Sequence, residues 1–402
     1  MTALEERLFA EIDRAGPLDL LSALIRIPSH RGIEKQEAAL ATALASHLEQ
    51  HGLEPRLDEV ADGRPNLLCT VGSGAPGPHL LLCGHMDTVP LNAGEPGFGF
   101  SGELRDGMVL GRGAVDMKGA LAAKAATLVA LARCSLPHRG RVTLAAVIDE
   151  EMESLGAEAL IADGFTADGA IVGEPTRNRV CLGHKGLEWL EIIFRGAAAH
   201  GGTPEAGINA IAAAARFLDL ARTELAARWR NRVDPLLGSP TFNVGTIAGG
   251  DQPSTVAALC TLQADRRSVP GEDYALISGE LQELMRRVES EMPGLTSELR
   301  RLPGGMATLE HVALSTPADD PVALAAAAAY RQVRGVRAEF GAFPAWTDGA
   351  LLSAFGDIPT IIMGPGDLAV AHSPREAVPT AEVLEAARLY AVTALEFCDE
   401  AA

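Results

Sequence analysis

The amino-acid sequence predicts an α/β protein with a mixed, mainly parallel sheet and an inserted ferredoxin-like α+β domain. Strand and helix patterns alternate in the first 180 residues and again after residue 302, which is typical of a sheet covered by helices on both faces. Between these regions the order becomes βαββαβ, the order of a ferredoxin-like unit. We therefore predict a first domain in two parts, residues 1–180 and 303–402, and an inserted domain of residues 181–302.

The elements of the first domain follow from its hydrophobic pattern. Residues 1–50 are expected to form two helices, the second over about 33–52. Later strands are predicted where short apolar runs end at turn residues, and helices where apolar residues recur over longer stretches. In chain order these are strands 66–72, 79–85, 142–148, 169–174 and 358–364, and helices 117–133, about 154–163, 321–334, from 347, and 381–398.

The inserted domain has its own pattern, with alternating strands and two long amphipathic helices. The polar faces of these helices favour solvent, and their apolar faces indicate core or dimer packing rather than a cofactor site. The predicted elements are strand 186–196, helix 208–230, strands 241–249 and 255–267, helix 272–290 and strand 295–302.

Composition disfavours several classes of partner and bears on the location of the protein. A formal net charge of −19 disfavours nucleic acid and anionic membrane surfaces, because both need a basic footprint. No apolar run reaches the ~18 residues that a membrane span needs, and the acidic N-terminus is unlike a signal peptide. The six cysteines form no CxxC pair, which indicates reduced thiols. We expect a cytoplasmic protein.

Potential metal ligands follow the predicted strands. In open α/β sheets, ligands bind beyond the carboxyl ends of the strands, so these side chains are expected to meet at one edge. Imidazole and carboxylate groups suit two divalent metal ions, for which zinc is the best match and cobalt or manganese are alternatives. A two-metal site indicates hydrolysis. The five residues are His85, Asp116, Glu151, Glu174 and His372.

Each of these residues alone has an ordinary explanation, such as a helix cap for Asp116 or a solvated loop residue for His372. Their convergence, with a spare acid beside Glu151, favours a site. Glu150 is then free to take a proton from an activated water. Asp87, two residues after His85, is placed to hold the imidazole in one tautomer.

Other catalytic motifs fail their context. Residues 72–77, GSGAPG, match G-x-G-x-x-G, but a strand follows instead of a helix, so we interpret the segment as a hairpin turn. This disfavours a nicotinamide-dependent oxidoreductase. No G-x-S-x-G nucleophile elbow is present.

The motifs GHMDTVP, GRGAVDMKGA, DEE, GEPT and AHSP resemble those of the M20 metallopeptidase/amidohydrolase family, across nearly the whole chain. Its members include acetylornithine deacetylase, succinyl-diaminopimelate desuccinylase, aminoacylase and glutamate carboxypeptidase. The resemblance implies that Asp116 bridges two metals and that the Asp116–Met117 peptide is cis. It implies one site completed by His85 and Glu174, and another completed by Glu151 and His372. It also implies that Glu150 is the general base and acid, with Asp87 supporting His85.

The segment AAAHGGTPEAGINAI resembles the family's lid and dimerisation domain. This implies that His200 reaches a neighbouring active site and stabilises an oxyanion. Asp265-Arg266-Arg267 resembles a lid segment whose arginine meets a substrate carboxylate, and Arg267 is preferred to Arg266. Thr347-Asp348 matches a further family patch near the pocket.

Two departures from the family bear on substrate choice. Ser254 begins a Ser-Thr-Val-Ala stretch where many relatives have Asn, so an expected substrate-binding amide is in doubt. The segment 91–100 lacks the Trp and Pro-Phe pattern that is common after the first motif.

The resemblance implies a di-metal hydrolase that acts on small N-acyl amino acids or short peptides with a free carboxylate. It implies a homodimer formed through the lid domain, although a monomer stays open. An M20 carboxypeptidase or dipeptidase of the glutamate carboxypeptidase type is the alternative. A non-catalytic binding protein on the same fold is disfavoured, because all five ligands and Glu150 are present.

Overall fold

The structure is a computed structural model that describes residues 2–94, 97–137, 139–302 and 309–399. The chain forms two units. The first comprises Met1–Gly183, Leu314–Phe343 and Thr347–Ala402, and the second comprises His184–Ala313 and Pro344–Trp346. The sequence prediction placed the boundaries after residues 180 and 302. The second of these adjoins residues 303–308, which lie outside the described residues.

Local pairing explains why these boundaries differ. Cys181 pairs with Gly341 in the sheet of the first unit, so the chain leaves that sheet later than predicted. At the other end, the N–H of Leu187 donates to the carbonyl of His311 at 2.9 Å. This bond keeps the segment before Leu314 in the second unit.

The helices are given first, in chain order. They are α1 (Ala3–Arg14), α2 (Pro17–Ile25), α3 (Ala38–Gln50), α4 (Lys118–Arg133), α5 (Leu155–Ala162), α6 (Ala210–Leu220), α7 (Ala226–Trp229), α8 (Tyr274–Glu291), α9 (Pro321–Arg334), α10 (Gly349–Ala354) and α11 (Thr380–Asp399). A π-helical segment, Ala221–Leu225, joins α6 to α7. Short 3-10 turns lie at Pro204–Ala206 and Leu368–Val370. Within the described ranges, no helix is long and apolar enough to cross a membrane.

Most strands of the first unit are buried. The strands of both units, all of them short, are given in chain order. They are β1 (Arg56–Ala61), β2 (Arg64–Gly72), β3 (His79–His85), β4 (Glu103–Arg105), β5 (Met108–Leu110), β6 (Arg141–Val147), β7 (Gly169–Val172), β8 (Cys181–His184), β9 (Glu188–Arg195), β10 (Thr241–Gly249), β11 (Leu259–Arg267), β12 (Thr296–Arg301), β13 (Leu314–Ser315), β14 (Gly341–Ala342), β15 (Thr360–Ile362) and β16 (Ala377–Pro379).

The first unit is built on the predicted mixed sheet. Its strand order is β1-β2-β6-β3-β7-β15-β8-β13, and β14 pairs with β8. Strand β3 is parallel to both β6 and β7, and β15 is parallel to β7. The antiparallel pairs β1–β2 and β2–β6 form one side. The α/β class with a mainly parallel sheet is therefore confirmed.

The predicted hairpin at residues 72–77 is wrong. Strand β6 lies between β2 and β3, so the segment crosses the end of β6 instead of reversing the chain between paired strands. The N–H of Gly140, just before β6, donates to the carbonyl of Ala75 at 3.0 Å. A Cβ on Gly77 would lie 2.5 Å from the backbone nitrogen of Gly140. The glycines thus allow a close backbone crossing, which has the same composition as a tight turn.

Other parts of the first unit also differ from the prediction, among them its first helices and a small sheet. Residues 2–50 contain three helices, because Gly16 takes a left-handed conformation (φ 66°) and Pro17 starts a new helix. A small sheet of order β16-β5-β4 was also missed. Its strands have three residues each, which is too short for a hydrophobic period to be read.

Helix α4 packs closely on the sheet at the strand ends that matter for the site. A Cβ on Gly173 would lie 2.6 Å from the Cβ of Ala120, so glycine is needed for this approach. The buried ammonium of Lys124 donates to the carbonyl of Ile171 at 2.9 Å and to that of Cys83. The ends of β3 and β7 are therefore tied to the helix that begins just after Asp116.

The second unit has the predicted βαββαβ order. Its four strands form an antiparallel sheet in the order β10-β11-β9-β12. Inward-facing residues of β9, such as Ile192 and Phe194, share one core with Phe217 of α6 and Leu281 of α8. This arrangement is the ferredoxin-like unit that the sequence predicts.

Candidate metal centre

The sheet brings polar side chains from three neighbouring strands to one edge. His85 is the last residue of β3, Glu150 and Glu151 follow β6, and Glu174 follows β7. Because β3 is parallel to both β6 and β7, the carboxyl ends of these strands lie side by side. Asp116 lies two residues before the start of α4. Because α4 packs closely on these strands, the carboxylate of Asp116 reaches the same edge of the sheet.

One group of three possible ligands is His85, Asp116 and Glu174, all of them buried. The Nε2 atom of His85 is 3.0 Å from Oδ1 of Asp116 and 3.7 Å from Oε1 of Glu174. Their ligand atoms all lie within 4.8 Å of one another. This spacing allows all three to reach one metal ion.

A second group contains Asp116, Glu151 and His372. The Nε2 atom of His372 is 3.0 Å from Oδ2 of Asp116 and 3.2 Å from Oε1 of Glu151. Asp116 thus offers a different carboxylate oxygen to each group. The arrangement has the form of two adjacent metal sites that share one carboxylate.

The electrostatics of these groups fit cations. Burial, with the nearby charge of Asp116, raises the pKa of Glu174 to about 8. Oε1 of Glu174 is buried and has no hydrogen-bond partner within the described ranges. Hydrogen bonds to Asp116 and Glu151 raise the pKa of His372 to about 10. Several acids crowded into a buried site need positive charge, and imidazole with carboxylate is the donor set of zinc and similar divalent ions.

Glu150 belongs to neither group of ligands. Its carboxylate is 3.9 Å from Nε2 of His85, close to the first group. Burial raises its pKa well above the usual range, despite the opposing charge of His85. A carboxyl group beside the possible metal ligands, and separate from them, is placed to accept and return a proton.

Asp87 has a second role that the sequence did not reveal. Nδ1 of His85 lies 3.0 Å from the main-chain oxygen of Asp87 and 3.4 Å from its carboxylate, so the backbone is the closer acceptor. The carboxylate instead accepts the N–H groups of Glu150 and Glu151 at 3.1 and 3.0 Å. Asp87 therefore orients the imidazole of His85 and also holds residues 149–151, the acidic turn, in place.

Other supporting residues were missed because their partners are far away in the sequence. Arg64 pairs with Asp149 at 2.6 Å and with Glu37 at 2.7 Å, which anchors the acidic turn from the far side. Glu376 accepts main-chain N–H groups from the loop that carries Asp116. The only sequence signal for Glu376 is its position four residues after His372.

Asp348, from the family patch Thr347-Asp348, lies in the first unit and is buried. Burial raises the pKa of its carboxyl to about 7, against the charge of His85. Asp348 also contributes to the raised pKa of Glu150. It therefore belongs to the electrostatic surroundings of the acid cluster.

His200 and Ser254 are neighbours in the second unit. The N–H of Gly201 donates to the carbonyl of Ser254 at 2.7 Å, and His200 forms a bridge with Thr255. Nδ1 of the exposed His200 ring accepts the N–H of Gly202 at 3.0 Å. Because Nδ1 accepts this bond, Nε2 is the ring nitrogen that remains available as a hydrogen-bond donor.

The two candidate arginines differ in availability. Arg266 is 1% exposed, pairs with Glu272 at 2.8 Å and lies over the ring of Trp229. The side chain of Arg267 is 29% exposed and pairs with Asp265 at 2.7 Å. These contacts give Arg266 a role in the core and favour Arg267 as the side chain that can meet a substrate.

The Asp116–Met117 peptide bond is cis, as the resemblance implied. Of the segment 91–100, residues 95 and 96 lie outside the described residues. Asn92 of this segment donates to the carbonyl of His372 at 3.3 Å. The departure at 91–100 therefore lies beside the second group of ligands.

Comparison with known proteins agrees with this geometry. The model of peptidase family M20/M25/M40 matches residues 81–396. Acetylornithine deacetylase of Proteus mirabilis is 30% identical over 95% of this chain and 96% of its own. That of Edwardsiella ictaluri is 31% identical over 94% of this chain and 97% of its own.

Solved structures share the fold. Aminopeptidase PepT of Bacillus cereus has a TM-score of 0.77 at 22% identity, covering 98% of both chains. The YXEP protein of Bacillus subtilis, described as a dinuclear metal-binding peptidase of the M20 family, has a TM-score of 0.72 at 15% identity, covering 96% of this chain and 98% of that one. One conclusion follows from the family match, the near full-length relatives and the cluster of side chains that could hold metal ions. The chain belongs to peptidase family M20/M25/M40 and is a metal-dependent hydrolase that uses divalent metal ions.

Proposed function

We propose that this protein hydrolyses the amide bond of N-acyl amino acids with two divalent metal ions bound at the two groups of ligands. The observation that carries the proposal is that Asp116 offers one carboxylate oxygen to each group while Glu150 stands outside both. Zinc suits this donor set best, and cobalt and manganese are the alternatives. His85 and Glu174 complete one site, and Glu151 and His372 complete the other.

The side chains divide the work of hydrolysis. Bound metal ions would supply Lewis acidity, which polarises an amide carbonyl and lowers the pKa of water so that it can lose a proton at neutral pH. Glu150 takes the proton of the attacking water and passes it to the leaving amine. Asp87 holds Glu150 and Glu151 in place through their backbone N–H groups.

Substrate recognition is assigned to the second unit. His200 presents a ring N–H that can stabilise an oxyanion, and the guanidinium of Arg267 can meet a free carboxylate in bidentate fashion. Ser254 lies beside His200 and can contribute a hydrogen bond to the substrate. We propose a homodimer through this unit, in which His200 serves the partner's site.

The acetylornithine deacetylases support a deacylase. A dipeptidase or carboxypeptidase remains the second candidate, since the same metal chemistry cleaves a peptide and several peptidases share the fold. All six cysteines are buried, and none of them forms a disulfide. This supports the proposal of a reducing, cytoplasmic location.

The first test uses protein stripped of metal by a chelator. Stripped protein should not cleave N-acyl amino acids, and added zinc, cobalt or manganese should restore cleavage, with two ions bound per chain. A panel of N-acetyl and N-succinyl amino acids and dipeptides then identifies the substrate class. Preference for dipeptides would replace the deacylase proposal with the peptidase alternative. Two bound ions with no cleavage of any panel member would contradict both.

A second test separates the roles of His200 and Arg267. His200→Ala should lower kcat by about 10²–10³-fold, the typical effect of losing an oxyanion donor. Arg267→Met should raise KM by about 10–100-fold, because a hydrogen bond to a charged group contributes about 1.5–3 kcal/mol. Both variants should keep their metal content. Arg195→Met is the control, because Arg195 is an exposed strand arginine paired with Glu298. Unchanged kinetics in either site variant would remove that residue from the site.

A further inference from the structure

Glu376 stands four residues after His372 on the same loop, and its side chain reaches the loop that carries Asp116. Its carboxylate is buried, with a side-chain exposure of 1%. Oε1 accepts three main-chain N–H groups of one loop, from Gly113 at 2.9 Å, Val115 at 3.0 Å and Asp116 at 3.2 Å. The side chain therefore holds the backbone of Asp116 itself.

The other carboxylate oxygen of Glu376 pairs with Arg112 at 2.6 Å, and the side chain of Arg112 is 2% exposed. The guanidinium of Arg112 also donates to the carbonyl of Ser373 and to that of Pro90, each at 3.4 Å. Arg112 thus joins the loop that follows His85, the loop that carries Asp116 and the loop that carries His372. The ion pair between Arg112 and Glu376 therefore connects these three loops.

The main chain of Glu376 continues the same connection. The N–H of Gly111 donates to the carbonyl of Glu376 at 2.9 Å, just beyond the pairing of Leu110 with Ala377 in the β5–β16 ladder. The ladder sets the register of the two segments, and the carboxylate extends their connection to Asp116. The three N–H groups and the arginine offset part of the cost of burying this carboxylate.

We propose that Glu376 is a positioning residue that fixes the distance between Asp116 and His372. Glu376 acts through backbone N–H groups and Arg112, so it needs no contact with substrate or metal. This role rests on the proposed function, because it matters only if these two side chains share a metal ion. Losing a supporting residue of this kind typically weakens metal binding by about 10–100-fold.

The geometry also predicts which ion is affected more. The group of Asp116, Glu151 and His372 depends on the distance between the two loops that Glu376 joins. His85 and Glu174 instead lie at the ends of adjacent strands β3 and β7, which the sheet and Lys124 hold. Loss of Glu376 should therefore weaken one ion by about 10–100-fold and the other by a smaller factor.

The test is metal titration of Glu376→Gln and Glu376→Ala against a chromogenic chelator, with zinc as the probe. We expect two-ion binding to split into one near-normal and one weakened step, with the larger effect in Glu376→Ala. At saturating zinc, activity should recover toward wild type with KM unchanged. Glu188→Gln is the matched control, because Glu188 is 5% exposed and pairs with Arg301 at 2.6 Å in the second unit.

The outcomes separate this inference from the proposed function. If wild type binds no metal, the proposed function fails and the positioning role fails with it. If wild type binds two ions and both Glu376 variants bind them equally well, only the positioning role is overturned. The positioning role would also be overturned if both ions were weakened equally and the Tm fell as much as it does in the control Glu188→Gln. That pattern would reflect general destabilisation. Glu376→Gln retains an acceptor oxygen and keeps the test informative if Glu376→Ala does not fold.

Discussion

Glu150→Gln is expected to lower kcat by about 10²–10⁴-fold while the metal content stays at the wild-type level. The amide keeps the size of the carboxylate but can neither take a proton from water nor return it to the leaving amine. Metal binding should persist, because Glu150 belongs to neither group of three ligands. The measurements are kcat on the preferred substrate and metal content by elemental analysis.

Glu153→Gln is the control for this variant. Glu153 lies on the same turn, where its backbone N–H donates to the carbonyl of Asp149 at 3.0 Å, and it is absent from both groups of ligands. Near wild-type turnover in Glu150→Gln would remove Glu150 as the proton-transfer group. Loss of one metal ion would instead mean that Glu150 is a ligand, and Glu151 would then become the candidate base.

The grouping of the possible metal ligands was predictable because it depends on strand ends. His85, Glu151 and Glu174 each follow a run of buried apolar residues, and parallel neighbours align those ends regardless of the connecting loops. The mixed sheet was predictable for the same reason, since short apolar runs alternate with helical patterns. Strand order was not, because nothing local in GSGAPG shows that β6 inserts between the strands on either side of it.

The residues that support the site through contacts with its loops could not be predicted from the sequence. Glu376 contacts Asp116 across 260 positions, and Arg64 contacts Asp149 across 85. Such pairs form only when the fold is complete, and an isolated Glu or Arg has no local signature of burial. The choice between Arg266 and Arg267 has the same origin. Alternation along β11 buries Arg266 and leaves Arg267 partly exposed, but the sequence alone does not show which face is covered.

Asp116→Asn is expected to weaken the binding of both metal ions, by more than the roughly 10–100-fold typical of losing a supporting residue. Oδ1 of Asp116 faces His85 and Oδ2 faces His372, each at 3.0 Å, so both groups of possible ligands include this carboxylate. An amide keeps one weaker acceptor oxygen and puts an NH₂ group where the other site needs negative charge. His372→Ala should weaken one ion only. Zinc titration of the two variants, followed by activity at saturating zinc, measures the difference.

The ordinary alternative for Asp116 is a carboxylate that stabilises the start of a helix, and the chain offers a control for that role. Asp320 caps α9 by accepting the N–H of Val322 at 3.0 Å, whereas α4 has no side-chain cap. Asp320→Asn should leave zinc binding unchanged, because asparagine caps helices about as well as aspartate.

If Asp116→Asn behaved in the same way, Asp116 would have no part in binding either ion. Weakening of a single ion would make Asp116 a ligand of that site alone, and the shared-carboxylate arrangement would be wrong. Weakening of both ions at an unchanged Tm is the result that a bridging carboxylate explains, since no other single side chain belongs to both groups of possible ligands found in the described residues.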